Sequence, residues 1–543
     1  MRLKAGPVRI AAPMASASTS HSQAEQTAPV VGPTPDIAAP DALRPLVVVG
    51  VMTSCMLGPF INILDINVVN VTLPRIMSGL GADVLTARWV MTAYLIATAV
   101  TMPTLGWVGR RLGNQRLYAL GVVIFTGASA LCGAAPSIEI LILLRILQGV
   151  GAAVLMPISL ALMLEVTPPR QRGLGTSLWA IGASMGNLCG LPIAGFVADA
   201  VEWRTVFYLN LVPGSIAVLG TLLLVTPSAR EEQTPFDGWG FITLSAALVS
   251  LLVALSQVQQ EGWDSTFILS LLAVCGVAAC LFLFIEGRLD VPLLDLTLYR
   301  RLLYNSGTCA AFILGVFFYT SSFLAVLYMQ LGLDYSVQQS ALALTPGAAA
   351  MIICALIAGW LVDRIDPRIP MTIGAAAFGF FCYLMLTADG RSSLGYFTWA
   401  YIWRSIGLGF LNAPVFATAT SGLTAHRARL ASSLLSLSLV LGGTFGISLL
   451  STMLERWQTI HQARFAETQT YAAVGTQHAL SAFAGVWDQL GSQFMDLYAR
   501  GSLTGFVRRE AMLHAFNDCF AMLLYLSIAI GCIVVMMRVV RRS

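Results

Sequence analysis

Long apolar stretches separated by short polar intervals recur along nearly the whole chain. About 20 apolar residues are needed to cross ~30 Å of hydrocarbon. Fourteen runs approach or exceed that length, near 46-74, 87-107, 116-134, 138-164, 174-198, 204-226, 239-257, 266-286, 304-330, 339-362, 369-387, 396-422, 430-454 and 513-537. They predict fourteen membrane-crossing helices, and an even number puts both chain ends on one side. One long interval breaks the pattern, from Glu455 to Met512. Its apolar residues (Trp457, Ile460, Phe465; Trp487, Leu490, Phe494, Leu497) are spaced as in amphipathic helices. Such a segment caps a mouth, meets a partner or is a loose connection, since loops of this length are functional or disordered.

Within the first run, Leu64 to Pro74 reads L-D-I-N-V-V-N-V-T-L-P and places an acid, Asp65, among apolar residues. An unpaired carboxylate in hydrocarbon costs at least ~3 kcal/mol, so such residues face a polar interior and mark ion or substrate pathways. At the helical repeat Asn62, Asp65, Val69 and Thr72 share one face, which reads as a cavity lining. A structural polar cluster is the competing reading.

Composition agrees with a polytopic membrane protein: of 543 residues 57% are hydrophobic and 11% charged, with mean hydropathy +0.77. The net charge of +4 is small, and its distribution matters more than its sum. Counted by the positive-inside rule, the short loops on the side opposite the chain ends hold only Arg75, Arg88, Arg204 and Arg391, while most other basic residues fall on the side of the ends. Both ends are therefore expected in the cytoplasm. Residues 1-44 read as a disordered cytoplasmic tail without the apolar core of a signal peptide, with Met14 as an alternative start, and 539-543 as a second short tail. The ten cysteines all lie in apolar runs without metal-ligand spacing, and the five histidines are scattered, so no metal and no cofactor is expected.

An internal repeat divides the chain. Gly106-Trp-Val-Gly-Arg-Arg-Leu-Gly113 follows the second run and Gly359-Trp-Leu-Val-Asp-Arg-Ile-Asp366 follows the tenth; Arg145-Ile-Leu-Gln-Gly-Val-Gly151 has a weaker echo in Arg404-Ser-Ile-Gly-Leu-Gly409. The expected organisation is two six-helix halves, 45-226 and 304-538, with two inserted helices in 227-303. That is the layout of a rocking secondary transporter, whose site lies between the halves near the membrane midplane.

Asp65 lies about ten residues before the outer end of its run and Arg145 about eight residues into the fourth; at ~1.5 Å per residue both sit ~12-15 Å below the outer surface. They can pair, directly or through Gln148 on Arg145's face. An acid that is desolvated yet beside a cation has opposing influences on its proton affinity, which is what proton coupling requires. A fixed structural ion pair is the alternative.

Here the chain resembles a known family. L-D-I-N-V-V-N-V-T-L-P, R-W-V-M-T-A-Y at Arg88-Tyr94, G-W-V-G-R-R-L-G, R-I-L-Q-G-V-G-A at Arg145-Ala152, G-N-L-C-G-L-P-I-A-G at Gly186-Gly195 and W-R-T-V-F-Y-L-N-L-V-P at Trp203-Pro213 are similar, in order, to the motifs of the fourteen-helix drug/proton antiporters of the major facilitator superfamily, the EmrB/QacA type. The resemblance covers about 45 to 538. The long interval before the last helix and N-D-C-F at Asn517-Phe520 resemble EmrB-like pumps of double-membraned bacteria in particular. The resemblance implies an all-α major facilitator fold in the inner membrane, proton coupling at Asp65 and Arg145, and conformational roles for Gly106, Arg110, Arg111, Gly113, Gly186, Gly190, Pro192, Gly195, Asp363 and Arg364. It also implies a periplasmic adaptor and an outer-membrane channel as partners. Two departures stand out. Arg110 occupies a place where the family usually has Asp, although the second copy keeps Asp363; and the antiporter motif reads Gly190-Leu-Pro-Ile-Ala-Gly195, with its proline moved by one place. Without the family, Gly182, Gly186, Gly190 and Gly195 form a close-packing stripe.

Asp65 is the one acid placed well inside the bundle, with Asp518 near the outer end of the last run. The expected substrates are thus neutral, weakly acidic or monocationic lipophilic compounds, held by aromatic and Met side chains. Candidates for the cavity are Asn62, Tyr94, Gln148, Phe318, Tyr319, Tyr328, Met329, Arg404 and Asp518. The expected function is proton-coupled export of drugs and toxicants; export of one endogenous metabolite, such as a siderophore or a peptide antibiotic, uses the same machinery, and a receptor or scaffold is the remote alternative. An intramembrane enzyme needs a nucleophile with a base, paired acids or H-E-x-x-H, and none occurs at helical spacing. No Walker A sequence is present, so ATP is not the expected energy source.

Overall fold

The computed structural model describes residues 44-168, 171-200, 202-225, 235-289, 294, 296-423, 425-468, 481 and 492-536. Among them there is no strand. The helices are α1 (Arg44–Leu80), α2 (Val84–Thr101), α3 (Leu105–Leu112), α4 (Asn114–Gly133), α5 (Ile138–Val166), α6 (Arg172–Ala200), α7 (Thr205–Tyr208), α8 (Leu211–Leu224), α9 (Gly238–Glu261), α10 (Thr266–Glu286), α11 (Leu302–Gly315), α12 (Ser321–Leu327), α13 (Val337–Val362), α14 (Arg368–Leu386), α15 (Leu394–Ala419), α16 (Ala425–Thr468) and α17 (Ser492–Met536). Two π-helical turns, Val316–Thr320 and Tyr328–Gly332, join α11 and α12 into one rod ending at Gly332.

Twelve rods among the described residues are long and apolar enough to cross a membrane. The other two long helices are α6 and α15, so each apolar run corresponds to a helix. Arg404, Ser405, Asn412 and Thr418 of α15 are all buried. At the other extreme, α10 leaves Val274, Val277, Leu281 and Leu283 exposed. Hydrocarbon can cover such a face, because every backbone group is satisfied within the helix.

Helix ends follow local chemistry. Ser137 caps α5 through the Ile140 amide, and Ser336 with Gln339 forms a capping box at α13. Gly113 has φ +79°, which lets the chain turn directly from α3 into α4.

Some boundaries differ from the sequence reading. Helix α1 continues through Pro74 to Leu80. The expected external segment 455-512 is in large part helical: α16 carries on from its apolar run to Thr468, and α17 begins at Ser492. No Gly or Pro interrupts Glu455 to Thr468, so nothing in the chain ends α16 at the edge of the apolar run. Trp487 and Leu490 lie outside the described residues, as do the tails 1-43 and 537-543.

Packing partners recur along the chain. Helix α1 packs on α6, α2 and α4 on α5, and α4 on α8; in the same order α11 packs on α16, α13 and α14 on α15, and α14 on α17. Helices α9 and α10 pack on each other, with α9 also touching α2 and α16, where Ser448 Oγ donates to the Leu255 carbonyl at 2.5 Å.

The helices before α9 meet those after α10 along a seam. Gly359 of α13 faces the backbone of Gly173 and the side chain of Ser177 on α6, with no room for a Cβ; Gly106 is covered by Leu430 of α16; and Ser432 Oγ donates to the Pro157 carbonyl at 3.2 Å. Asp363 closes the seam, its carboxylate accepting from the Gly173 and Leu174 amides at 2.8 and 2.9 Å, where a helix N-terminus favours negative charge. Asp363→Ala should weaken this closure by about 1-2 kcal/mol. A cysteine introduced by Ser177→Cys, a buried position, should then react with a maleimide several-fold faster than in the Asp363 parent; an unchanged rate means that Asp363 does not hold the seam.

Candidate functional site

Asp65 and Arg145 meet in the interior. Arg145 Nη1 donates to Asp65 Oδ2 at 2.6 Å, with side-chain exposures of 0% and 1%. The other carboxylate oxygen is held equally firmly: Asp65 Oδ1 accepts from Gln148 Nε2 at 2.9 Å and from Asn210 Nδ2 at 2.9 Å. Gln148 completes a ring by accepting from Arg145 Nη1 at 2.7 Å, and lies one turn along α5 from Arg145. Asn210, in the link between α7 and α8, also donates to Ser129 Oγ of α4 at 3.0 Å, and Ser129 donates to the Phe207 carbonyl at 2.7 Å.

The guanidinium is satisfied on its other sides too. Its Nε donates to the Val90 carbonyl at 3.1 Å, and its plane lies over the Tyr94 ring, 4.2 Å from the centroid. Tyr94 is positioned in turn by Asn62 Nδ2, 3.3 Å from its hydroxyl. The face Asn62, Asp65, Val69, Thr72 is thus buried against α2, α5 and α8, not open as a cavity lining. Each oxygen of the carboxylate thus faces at least one donor.

A small cavity lies beside this cluster, between the two sets of helices. Its walls include Ile63, Met156 and Trp179 from the first set and Phe318, Tyr319, Asn412, Phe416 and Ser436 from the second. At about 20 Å³ it has room for roughly one ordered water. Of the expected cavity residues, Phe318 and Tyr319 line it. Asn62, Tyr94 and Gln148 instead build the charge cluster. Tyr328 packs between Phe397 and Phe516, and Met329 is fully buried next to it. Asp518 is far from the cluster: it pairs with His461 Nε2 at 2.7 Å, joining α17 to α16 outside the apolar part of α16. Arg404 lies behind Phe318.

The residues expected to act in conformational change fall into two groups. In the first, Arg111 stacks on Trp107 and Arg364 on Trp360, at 4.3 and 4.1 Å, so both Gly-Trp motifs fold an arginine back over their tryptophan at i, i+4. Gly106, Gly113, Arg110 and Asp363 belong to the same end of the bundle. In the second, Gly186 and Gly190 let α6 approach α1, where a Cβ would meet the Phe60 carbonyl and Asn67. Pro192 lies inside α6 with its ring exposed, and Gly195 follows in the same helix.

Asn210 is a further site residue, and its signal in the sequence is an amide within an apolar run. Asn412 is a second case. The serines Ser129 and Ser436 carry no such signal, since hydroxyls bonded to their own helix are common in membrane helices.

Helices apolar enough to cross a membrane, with a sealed charge cluster beside a cavity between two sets of them, make the layout of a multi-pass membrane transporter. The chain belongs to the Major Facilitator Superfamily, whose family profile matches residues 55–447. It is 31% identical over 404 residues to the multidrug resistance protein Stp of Mycobacterium tuberculosis, covering 74% of this chain and 75% of that one. It is 27% identical over 415 residues to the multidrug export protein EmrB of Escherichia coli, covering 76% and 81%. The crystal structure of the human organic anion transporter MFSD10 (TETRAN) shares the fold with a TM-score of 0.55 at 12% identity, over 88% of this chain and 99% of that one.

Losing one partner of a buried ion pair costs about 3-5 kcal/mol, whereas neutralising both costs far less. Asp65→Asn and Arg145→Gln should each lower the thermal unfolding midpoint in detergent, and the double variant should recover much of the loss. Additive losses in this cycle would show that the two side chains do not act on each other.

Proposed function

We propose that this transporter is a proton-coupled antiporter that exports hydrophobic and amphiphilic toxic compounds from the bacterial cytoplasm by alternating access. The observation that carries the reading is the sealed Asp65 carboxylate, 2% exposed and held by Arg145, Gln148 and Asn210. The names of its relatives, multidrug export protein and multidrug resistance protein, support the substrate class. The repeated packing order supports two related six-helix halves that rock about the seam, with α9 and α10 inserted between them.

On this reading the closed seam at Asp363 and Gly359 is the cytoplasmic gate, in keeping with the basic residues at that end and with cytoplasmic termini. A proton on Asp65 removes the negative charge that holds Arg145, and leaves the Gln148 and Asn210 amides facing an oxygen that has become a poorer acceptor. The pair then separates, and α1 and α5 shift against one another. Substrate entering the cavity competes for the same space and charge, so proton and substrate take turns. The roles of Gly186 and Gly190 are to let α1 and α6 move while in contact.

Asp65→Asn is expected to abolish efflux driven by a pH gradient in proteoliposomes, with the protein still folded and inserted, and Arg145→Lys to keep only part of the activity because it loses the planar fork. Undiminished gradient-driven efflux in Asp65→Asn would remove the proton role.

The helical extensions of α16 and α17 beyond the membrane offer a surface for a periplasmic adaptor that leads to an outer-membrane channel. Deleting residues 465-500 should then abolish resistance in intact cells while leaving proton-coupled transport in liposomes. Full cellular resistance after the deletion would return this segment to a tolerated connection.

A further inference from the structure

The interior holds a second arginine whose charge is not balanced in the same way. Arg404 of α15 is 3% exposed, and its partners are all neutral: Nε donates to Ser321 Oγ at 2.6 Å, and Nη2 donates to the Phe318 carbonyl at 2.7 Å and Ser322 Oγ at 2.6 Å. The Tyr401 ring lies 4.5 Å from the guanidinium carbon and the Phe318 ring 6.0 Å. Among the described residues no carboxylate reaches it, and Nη1 has no hydrogen-bond partner. Arg145, its counterpart in the repeat, has Asp65; Arg404 has serines in that place. A buried cation without an anion is strongly unfavourable unless an anion is supplied from elsewhere.

The surroundings point to where that anion comes from. Phe318 belongs to both places: its carbonyl accepts from Arg404 and it lines the cavity between the two helix sets. About two turns further along α15, Asn412 also lines the cavity, as does Ser436 of α16. Asn412 Oδ1 and Ser436 Oγ are buried and have no hydrogen-bond partner. Buried polar atoms left in that state mark a place for a ligand or water that completes them. The rest of the wall is aromatic or aliphatic, with Trp179 and Phe416 in ring contact across the seam.

We propose that Arg404 is the anion-binding group of a substrate subsite, and that the adjoining cavity, which holds about one water while the seam is closed, takes amphiphilic organic anions when the two sets of helices part and widen it. A carboxylate or phenolate meets the free Nη1 edge, the apolar body lies among Phe318, Trp179 and Phe416, and a hydroxyl or amide on that body meets Asn412 and Ser436. This rests on the reading of the chain as an exporter and narrows its substrates to weak acids carried in their ionised form.

The test is binding of a matched pair of probes, 2-naphthylacetate and its neutral analogue 2-naphthylacetamide, to the full-length protein in nanodiscs at neutral pH without a proton gradient, followed by calorimetry. Wild type should prefer the anion by about tenfold or more, the scale of one charge-assisted hydrogen bond. Arg404→Gln should bring the two affinities to within about threefold, and Arg404→Lys should keep part of the preference, as a point charge without the fork does. Equal affinity of wild type for both probes overturns the proposal, as does failure of either to bind, or an undiminished preference in a folded Arg404→Gln. The wild-type comparison stands even if that variant does not fold. Repeating the titration with and without chloride separates an organic from an inorganic anion: a preference that disappears in chloride assigns Arg404 to a simple ion and overturns the organic-anion subsite. Because no gradient is present, a failure of proton coupling leaves these affinities unchanged, so the two readings fail separately.

Discussion

A carboxylate inside an apolar bundle is tolerable only when donors surround it, and the donors for Asp65 come from different parts of the chain. Arg145 and Gln148 lie on α5 and Asn210 precedes α8, while Ser129 of α4 and Val90 and Tyr94 of α2 hold those donors in place. One negative charge thereby fixes the mutual positions of five helices. The arrangement depends on that one charge, because removing it leaves the buried Arg145 guanidinium without its anion. Polar partners of this kind strengthen one another when all are in place, and each is costly to leave unpaired.

The seam between the two sets of helices is made differently. Where Gly173 faces Gly359 the surfaces approach through backbone and small groups, while Leu430 covers Gly106 and Trp179 meets Phe416. At the glycine pair the surfaces can part without drawing long side chains out of holes. The Gly173 and Leu174 amides that bind Asp363 are the free amides of a helix N-terminus, and water can replace the carboxylate there when the end opens. Glycine and a helix-capping acid thus make a closure that is specific yet shallow.

Much of this was legible in the residues. Asp65 and Arg145 stood out because a charge in an apolar run needs an explanation, and counting residues from the run ends put them at one depth. The Gly-Trp motifs announced the repeat, and each carries the same arginine-on-tryptophan stack. What stayed hidden has physical causes. Periodicity tells which face of a helix is polar but not whether that face meets a cavity or another helix, so Asn62, Tyr94 and Gln148 read as cavity lining when they are packed around the charge pair. Asn210 comes from a distant part of the chain, and no local spacing brings it to Asp65. The end of α16 lies beyond its apolar run because hydropathy marks where a membrane stops, whereas a helix continues until its backbone signals fail.

That continuity of α16 has a mechanical side. A helix of 44 residues at ~1.5 Å per residue is a rod of roughly 66 Å. Along it lie, in order, Leu430 and Ser432 at the seam, Ser436 and Leu439 at the cavity, Ser448 against α9, and His461 bonded to Asp518. Near its middle, Gly442 and Gly443 press against Phe312 and Tyr319 of the neighbouring rod. That tight contact is placed to act as a fulcrum: a tilt imposed on the projecting end swings the seam end in the opposite sense. Displacements at the His461 end and at the Leu430 end are then geometrically tied, as the two arms of one lever.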